Sequence, residues 1–319
     1  MNVLNVETPY NDLETLVEQF FGERFATDNA IVTEAIKRML AAGGKRLRPR
    51  ITLLAVAACG GDPGQHLPLA AYMELIHVAT LVHDDVVDNA QMRRGVNATA
   101  VDYGNRVSVL AGDYLFAWIF KNVTMHYPPP VPHVLSATLA DICDGEVLQL
   151  QALGNLDLPL ERYVEIAQKK TGSLFAASAL CGAVMGGGAP QTVEALRAFG
   201  EAFGIAFQMR DDLLDVTADE RSMGKPAAND LTEHKTTLPL IAALAAGGPD
   251  FRSVVNAFYD RPNGETLAAV LGGIERTGGV AETQAEIAGY AEKAKRALEP
   301  IADGAAKREL ARLTNALLS

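Results

Sequence analysis

The chain has 319 residues, and its 49% hydrophobic content predicts a large buried core rather than a disordered chain. Its 28 Lys and Arg residues stand against 39 Asp and Glu, a net charge of −11 that argues against a nucleic-acid binder. Cys59, Cys143 and Cys181 show no paired spacing, which indicates reduced thiols and a cytoplasmic protein. No apolar run reaches the roughly 20 residues of a transmembrane segment, so we expect none.

Apolar residues recur with helical spacing, and the alternation typical of strands is nearly absent. The predicted helices cover, in chain order, 13–25, 30–42, 49–58, 67–89, 107–126, 132–153, 160–185, 191–216 and 237–246, with further helices up to residue 318. Gly- and Pro-rich breaks fall at 60–64, 128–130, 186–190 and 247–249, and none has the composition of a flexible linker. The pattern predicts one all-α domain over residues 1–319.

An Asp-Asp-x-x-Asp cluster, Asp84, Asp85 and Asp88, lies near the end of predicted helix 67–89. Asp88 follows Asp84 by about one turn, and His77 precedes it by two turns on the same stripe. Carboxylates in such apolar surroundings are costly unless a cation or hydrogen bonds neutralise them. An acidic helix end on the surface is the alternative, but the bases Arg93 and Arg94 beside the acids favour a metal–phosphate site.

The same pattern recurs 127 positions later as Asp211, Asp212 and Asp215. The repetition predicts two acidic walls facing one cavity, and such hard oxygen donors suit Mg²⁺, which takes further ligands from substrate phosphate. Lys225 and Lys235 follow on a loop, where they are either solvated surface charges or groups that close over a phosphate.

A third constellation places four bases, Lys45, Arg46, Arg48 and Arg50, around the start of a predicted helix at Pro49. Helix N-termini and arginine forks both favour a phosphate, so in a net-acidic chain we interpret this segment as an anion pocket rather than a basic surface loop. A smaller basic patch at 168–172 is weak evidence alone. Cys/His metal spacing, Ser-His-Asp spacing and phosphate-binding glycine loops are absent from the sequence.

Together these motifs resemble the trans-isoprenyl (polyprenyl) diphosphate synthases, of the long-chain type, and the match extends over nearly the whole chain. The motifs that carry the resemblance are 43–49 (GGKRLRP), His77 with 81–95 (LVHDDVVDNAQMRRG), 104–116 (GNRVSVLAGDYLF), 145–149 (GEVLQ), 170–172 (KTG) and 207–239. Several ordered motifs at the family's spacing are specific, whereas one acidic cluster alone would not be.

The resemblance implies a single large all-α bundle around a central cavity, usually a homodimer. It implies that Asp84, Asp88 and Asp211 bind Mg²⁺ ions that hold an allylic diphosphate, with Asp85, Asp212 and Asp215 in support. Positions that match contacts to the allylic substrate are Arg93, Lys170, Thr171, Gln208, Lys225 and Lys235. Positions that match the pocket for isopentenyl diphosphate are Lys45, Arg48, His77 and Arg94. Lys170 and Lys225 are counted with the six aspartates as catalytic.

Two positions depart from the family pattern, because the usual loop glycines after the second cluster are here Ala228 and His234.

The residues before the first acidic cluster bear on product length. Ala79 and Thr80, about one turn before Asp84, are small, whereas short-chain members of the family often carry aromatic residues there. Small residues predict a long product, hexaprenyl to decaprenyl, of the kind used for quinone side chains. Met73 and Ile76 lie deeper and keep a geranylgeranyl or farnesyl product open.

Two other classes of protein share part of this pattern. A class I terpene cyclase would normally carry a different second metal motif and no GGKRLRP segment, so the sequence argues against it. A partner-dependent subunit of a heteromeric synthase is the other alternative, although such subunits usually lose one acidic cluster and this chain has both.

Overall fold

A computed structural model describes residues 13–25, 27–41, 43–93, 96–217 and 228–318 of the chain. The α-helices in these residues are α1 (Leu13–Arg24), α2 (Ala30–Ala41), α3 (Leu47–Ala58), α4 (Leu67–Val87), α5 (Thr99–Tyr103), α6 (Asn105–His126), α7 (Val131–Gln151), α8 (Leu160–Ala167), α9 (Ser173–Met185), α10 (Pro190–Thr217), α11 (Asn229–Thr232), α12 (Leu238–Asp260), α13 (Gly264–Arg276), α14 (Gly279–Ala297) and α15 (Ala305–Asn315). A 3₁₀ turn spans Pro63–His66, a π-helical turn spans Gln168–Gly172, and strands β1 (Met92–Arg93) and β2 (Val96–Asn97) pair antiparallel. The all-α prediction is confirmed, since each strand has only two residues.

One predicted helix is interrupted, and one predicted break is a kink within a helix. The segment predicted as one helix over 160–185 is interrupted by the π-helical turn between α8 and α9. The predicted break at 247–249 is confirmed as a kink within α12, because Gly248 leaves the helical conformation with a φ of 55°, which only glycine adopts easily. Pro249 lacks the N–H that a straight helix would use there, so the chain bends instead of stopping.

The described residues form two compact units. The first draws on residues within Met1–Ala137, Leu174–Arg197 and Leu298–Ala311. Its central helix is α4, which packs against α3 and α6 and is apolar around most of its circumference. Met73, Leu75 and Ile76 are fully buried there, as expected for a helix covered on every side. This packing fixes the helix end that carries Asp84, Asp85 and Asp88.

The second unit draws on Thr138–Ser173, Ala198–Ala297 and Arg312–Ser319. One core cluster joins α12 and α13 through Phe251, Phe258 and Val270. A second cluster, which includes Ile166 and Met209, packs α8 against the last turns of α10 and so positions the second acidic cluster. That both units belong to the one domain expected from the sequence stays a prediction. Among the described helices, none is long and apolar enough to span a membrane.

Candidate active site

The first acidic cluster lies at the carboxyl end of α4. Asp85 is fully buried, and the Nε atom of Arg93 on β1 donates to its Oδ1 at 2.7 Å, while a second guanidinium nitrogen of Arg93 donates to the same oxygen. A charged partner with hydrogen bonds offsets the burial of this carboxylate. Asp84 and Asp88 are only half-buried, one turn apart. The structure thus ties Arg93, predicted as a substrate contact, to Asp85; Arg94 lies outside the described residues.

His77 and the residues predicted to set product length lie earlier on α4. His77 is half-buried, and its carbonyl oxygen accepts a hydrogen bond from the Thr80 hydroxyl at 2.8 Å. Ala79 is fully buried and Thr80 is half-buried. Their proposed roles stay predictions.

The four bases around the start of α3, between residues 45 and 50, are of two kinds. Arg46 is buried, donates to the Leu40 carbonyl oxygen at 2.8 Å, and pairs with buried Glu74 at 2.7 Å between its Nη1 and Oε1. Arg50 likewise pairs with buried Glu309 at 2.9 Å. These two bases hold the fold together, a role that sequence reasoning did not separate from anion binding.

The remaining two bases, Lys45 and Arg48, are those predicted for the isopentenyl diphosphate pocket, and that role stays a prediction. Lys45 is exposed, and the Arg48 guanidinium lies 4.5 Å from the centroid of the Phe175 ring, a cation–π contact that orients it. Glu74 precedes His77 by about one turn of α4. The Arg46–Glu74 ion pair therefore joins the start of α3, next to Lys45 and Arg48, to the helix that carries His77.

Breaking the Arg46–Glu74 ion pair is expected to destabilise the fold strongly. Glu74→Ala removes the buried carboxylate, and the exposed Glu18 carboxylate 3.9 Å from Arg46 compensates little, so the free energy of unfolding should fall by about 3–5 kcal/mol in denaturant titrations. The exposed Glu194–Arg197 pair on α10 is the matched control, and Glu194→Ala should change stability by less than about 1 kcal/mol. Equal effects of the two substitutions would contradict the stabilising role of the buried pair.

The second acidic cluster occupies the last turns of α10. Asp211 is exposed, whereas Asp212 and Asp215 are buried. The Tyr163 hydroxyl donates to Oδ2 of Asp212 at 2.6 Å, and Nε2 of Gln208 donates to Oδ1 at 2.8 Å. Thr171 in turn donates to Oε1 of Gln208 at 2.6 Å. The structure therefore joins three residues predicted for the site, Thr171, Gln208 and Asp212, by hydrogen bonds. Tyr163 belongs to the same set, but the sequence did not indicate it because it resembles an ordinary core residue of α8.

Asp215 organises the segment that follows. Its Oδ2 accepts the backbone N–H of Asp230 at 3.0 Å, and its carbonyl oxygen accepts the N–H of Ala228 at 2.8 Å. Ala228 and His234 both have a φ of 58°, the left-handed conformation that favours glycine. Both positions that depart from the family pattern thus adopt a backbone conformation that glycine favours. Lys225 lies outside the described residues.

A cavity of about 110 Å³, lined by both apolar and polar side chains, lies within the second unit, beside Asp212. Its charged lining residues are Lys170, Asp212, Asp230 and Lys235. Thr236 and Thr237 line it as well, and their buried hydroxyls have no hydrogen-bond partner among the described residues. Acids, lysines and two unsatisfied hydroxyls around one cavity suit a ligand that carries negative charge and accepts hydrogen bonds.

Lys170 reaches this cavity from the π-helical turn. Such turns insert an extra residue into a helix and often occur at functional sites. The Nζ atom of Lys170 contacts the Glu146 carboxylate and lies 3.5 Å from Oε1 of Gln149, so α7 holds the ammonium group in place. Gly145 permits this approach, because a Cβ atom there would lie 2.7 Å from the Lys170 backbone nitrogen.

Adding a methyl group at position 145 is expected to disturb both stability and turnover. In Gly145→Ala the new Cβ would also meet Lys169 Cβ at 2.9 Å, so the π-helical turn must shift, at about 1–3 kcal/mol. Gly289 on α14 is the control: it is exposed, a Cβ there meets nothing within 4 Å, and Gly289→Ala should stabilise by about 0.5–1 kcal/mol. Thermal unfolding and turnover of both variants test this; an unchanged Gly145→Ala variant would contradict it.

Burial raises the pKa of Asp212 from its ordinary 3.8 to about 6, and the charges of Asp211 and Asp215 add to this, while hydrogen bonds from Tyr163 and Gln208 oppose it. The folded state therefore binds this proton more tightly than the unfolded state does. The stability that Asp212 contributes is full below about pH 4 and is lost as the pH rises through 6.

This pKa shift predicts that the difference in unfolding free energy between the wild type and Asp212→Asn, both without metal, depends on pH. Relative to Asp212→Asn, the wild type should lose up to about 3 kcal/mol of unfolding free energy between pH 4 and pH 7. Denaturant titrations across that range measure the difference. A difference that does not change with pH would contradict the raised pKa.

The carboxylates fit a metal that is shared with a substrate. In the described part of the chain, no three or more His, Cys, Asp or Glu side chains are grouped closely enough to hold one metal ion by themselves. Mg²⁺ usually takes only one or two carboxylates from a protein and completes its shell with water and substrate phosphate. Asp84, Asp88 and Asp211 supply hard oxygen donors of that kind.

Comparisons with known proteins agree with this fold. The sequence profile of the polyprenyl synthetase family matches residues 29–271. The chain is 36% identical to the octaprenyl diphosphate synthase of Escherichia coli K12 over 282 residues, covering 88% of this chain and 87% of that protein. It is 36% identical to the short chain isoprenyl diphosphate synthase of Methanothermobacter thermautotrophicus, covering 89% of each. It is also 36% identical to heptaprenyl diphosphate synthase component 2 of Geobacillus stearothermophilus, covering 83% of this chain and 82% of that protein.

A solved structure extends the similarity to three dimensions. The polyprenyl synthase of Caulobacter crescentus CB15, complexed with calcium and isoprenyl diphosphate, superposes with a TM-score of 0.90 at 36% identity, covering 96% of this chain and 93% of that one. The fold is thus the all-α fold of the isoprenoid synthases. The chain belongs to the polyprenyl synthetase family and is a prenyltransferase of the polyprenyl diphosphate synthase class.

Proposed function

We propose that this enzyme condenses an allylic diphosphate with isopentenyl diphosphate, in the presence of Mg²⁺, to build an all-trans polyprenyl diphosphate. The observation that carries the proposal is the cavity beside α10, which collects Lys170 and Lys235 with Asp212 and Asp230. The lysines of this cavity suit the negative charge of a diphosphate, and Asp211, next to Asp212 on α10, is an exposed oxygen donor for a metal ion. A diphosphate bound with a metal satisfies both.

Each group of residues has a separate part in the reaction. Asp84, Asp88 and Asp211 would hold the metal ions, and bound Mg²⁺ would neutralise charge on the diphosphate as it leaves. Lys170, Lys225 and Lys235 donate to the same diphosphate, because charge develops there as the carbon–oxygen bond breaks. Asp85 and Asp215 support the site by holding Arg93 and the backbone around Asp230.

The second substrate is held by basic residues around the start of α3. Lys45, Arg48 and Arg94 bind the diphosphate of isopentenyl diphosphate, with His77 beside them. Holding both reactants offsets the entropy of their encounter, and apolar helices keep water from the allylic cation. Loss of a proton to the released diphosphate completes a trans double bond. No general base among the side chains is assigned.

A long product, hexaprenyl to decaprenyl, is the form of this activity that Ala79 and Thr80 favour. The relatives support both possibilities, since one is named for an octaprenyl product and another for short-chain products. Geranylgeranyl or farnesyl diphosphate is therefore the alternative product.

The enzyme is proposed to act as a homodimer in the cytoplasm. Similarity to a protein named as component 2 supports a second alternative, in which a different subunit is needed for activity.

A single assay tests these alternatives. The purified chain is incubated alone with Mg²⁺, farnesyl diphosphate and labelled isopentenyl diphosphate, and the products are separated by chain length. We expect elongation to more than five isoprene units, abolished when EDTA removes the metal. Elongation that stops at geranylgeranyl diphosphate would select the short-chain alternative. Absence of elongation without a second protein would support the heteromeric one, and metal-independent elongation would contradict the proposed mechanism.

A further inference from the structure

The hydrogen bonds around Asp212 can run in one direction only. Both oxygens of the ionised carboxylate accept, one from the Tyr163 hydroxyl and one from the amide nitrogen of Gln208. Turning the Gln208 amide over would place its oxygen against the carboxylate, which is repulsive. The amide oxygen must therefore point to Thr171, whose hydroxyl donates to it at 2.6 Å. The charge of Asp212 sets the orientation of every group in this chain of hydrogen bonds.

Burial restricts the motion of these hydrogen-bonded side chains. Asp212 is 4% exposed and Tyr163 is 5% exposed, and Ile166 and Met209 pack beside them in the same core cluster. A carboxylate so deeply buried needs both donors, because either oxygen left without one would lose the interaction that offsets its desolvation. Tyr163, which the proposed function does not use, supplies one of the two.

We propose that Tyr163 is a positioning residue, which holds Asp212 so that Asp212 fixes the Gln208 amide and the Thr171 hydroxyl in one orientation before substrate binds. Asp212 acts through these hydrogen bonds and is not a metal ligand, unlike its neighbour Asp211. The inference rests on the proposed function, in which Gln208 and Thr171 contact the allylic substrate. Groups oriented in advance stabilise the charge that develops in the reaction without reorganising.

The first experiment compares Tyr163→Phe with Tyr290→Phe, a substitution of the same kind on α14 of the same unit. Removing the Tyr163 hydroxyl should lower kcat by about 10- to 100-fold, because a hydrogen bond to a buried charge is lost. The KM for isopentenyl diphosphate and the Mg²⁺ concentration for half-maximal activity should stay within about twofold of wild type. Tyr290→Phe should leave all three unchanged. Wild-type kcat in Tyr163→Phe would overturn the inference.

A double-mutant cycle separates positioning from general loss of structure. If Tyr163 acts through Asp212, the effects of Tyr163→Phe and Asp212→Asn on kcat should not add, and the double variant should resemble Asp212→Asn. Fully additive effects would contradict a shared pathway. Thermal unfolding of each variant without ligand confirms that the protein is folded at the assay temperature.

A third measurement does not depend on activity. Thermal unfolding is recorded with Mg²⁺ and inorganic diphosphate, which together should raise Tm. Tyr163→Phe and Asp212→Asn should keep this rise, whereas Asp211→Asn should lose most of it. Loss of the rise in Asp212→Asn would make Asp212 a metal ligand and overturn the inference. If the wild type makes no prenyl product, the proposed function fails, and this measurement alone decides the role of Asp212.

Discussion

Replacing Asp84 or Asp211 by alanine should lower turnover by on the order of 10²–10³-fold in each case, since each is proposed to hold metal at the leaving diphosphate. Asp84 is half-buried in the last turn of α4, and Asp211 is exposed near the end of α10. Neither is among the most buried acids of its cluster, so the fold should tolerate both substitutions. The Mg²⁺ concentration needed for half-maximal activity should rise in Asp84→Glu and Asp211→Glu, where an oxygen ligand is kept but displaced.

The control is Asp250→Ala, which removes an exposed carboxylate from α12 of the second unit. It changes the net charge by the same amount, so any general effect of charge on diphosphate binding should appear there as well. Asp250→Ala should retain wild-type turnover. Normal turnover in Asp84→Ala or Asp211→Ala would remove that residue from the proposed metal site.

Ala79→Phe should shorten the longest product, because a ring placed one turn before Asp84 would block the path of the growing chain. The side chain is fully buried, so the ring must occupy space that either the product or the packed core now fills. The distribution of product lengths distinguishes the two cases. Shorter products at nearly normal turnover show a blocked tunnel, whereas lower turnover with an unchanged distribution shows an overpacked core.

Ala70 provides a close control for this substitution. It is also fully buried on α4, and nine positions place it about 180° around the helix from Ala79. Ala70→Phe should destabilise the protein by about 1–3 kcal/mol through overpacking and leave product length unchanged. If both variants shorten the product, or neither does, the limit on chain length lies elsewhere.

The sequence predicts the helices of this protein well, because long amphipathic and apolar runs between Gly- and Pro-rich breaks leave few alternatives. Apart from the segment over 160–185, the helices predicted up to residue 216 begin and end within about two residues of those observed, which is the usual uncertainty of helix boundaries. The same local information fails at Gln168–Gly172, where the π-helical turn coincides with the close approach of Gly145 to Lys170. Such an approach depends on tertiary packing and leaves no periodic signal.

The site was only partly predictable for a similar reason. Residue type indicates which side chains can bind a diphosphate, but not which of them the fold itself uses. Arg50 pairs with Glu309, 259 positions away, and Tyr163 bonds to Asp212, 49 positions away. Neither partnership can be read from spacing along the chain. That the two acidic clusters contribute to one site also stays a prediction.

The backbone at Ala228 and His234 has a consequence for local stability. Each residue adopts a left-handed conformation that costs a residue with a side chain about 1–2 kcal/mol. Local steric repulsion therefore disfavours the observed backbone at both ends of residues 228–234. Contacts with residues far along the chain hold this segment in place. The Gly154 N–H donates to the His234 carbonyl oxygen at 2.7 Å, and the His234 ring stacks on the Tyr259 ring with 4.1 Å between their centroids. Opening this segment releases backbone strain, whereas unwinding a regular helix does not. We therefore expect residues 228–234 to keep their conformation through these contacts and the buried Leu231 side chain, and not through local helical propensity.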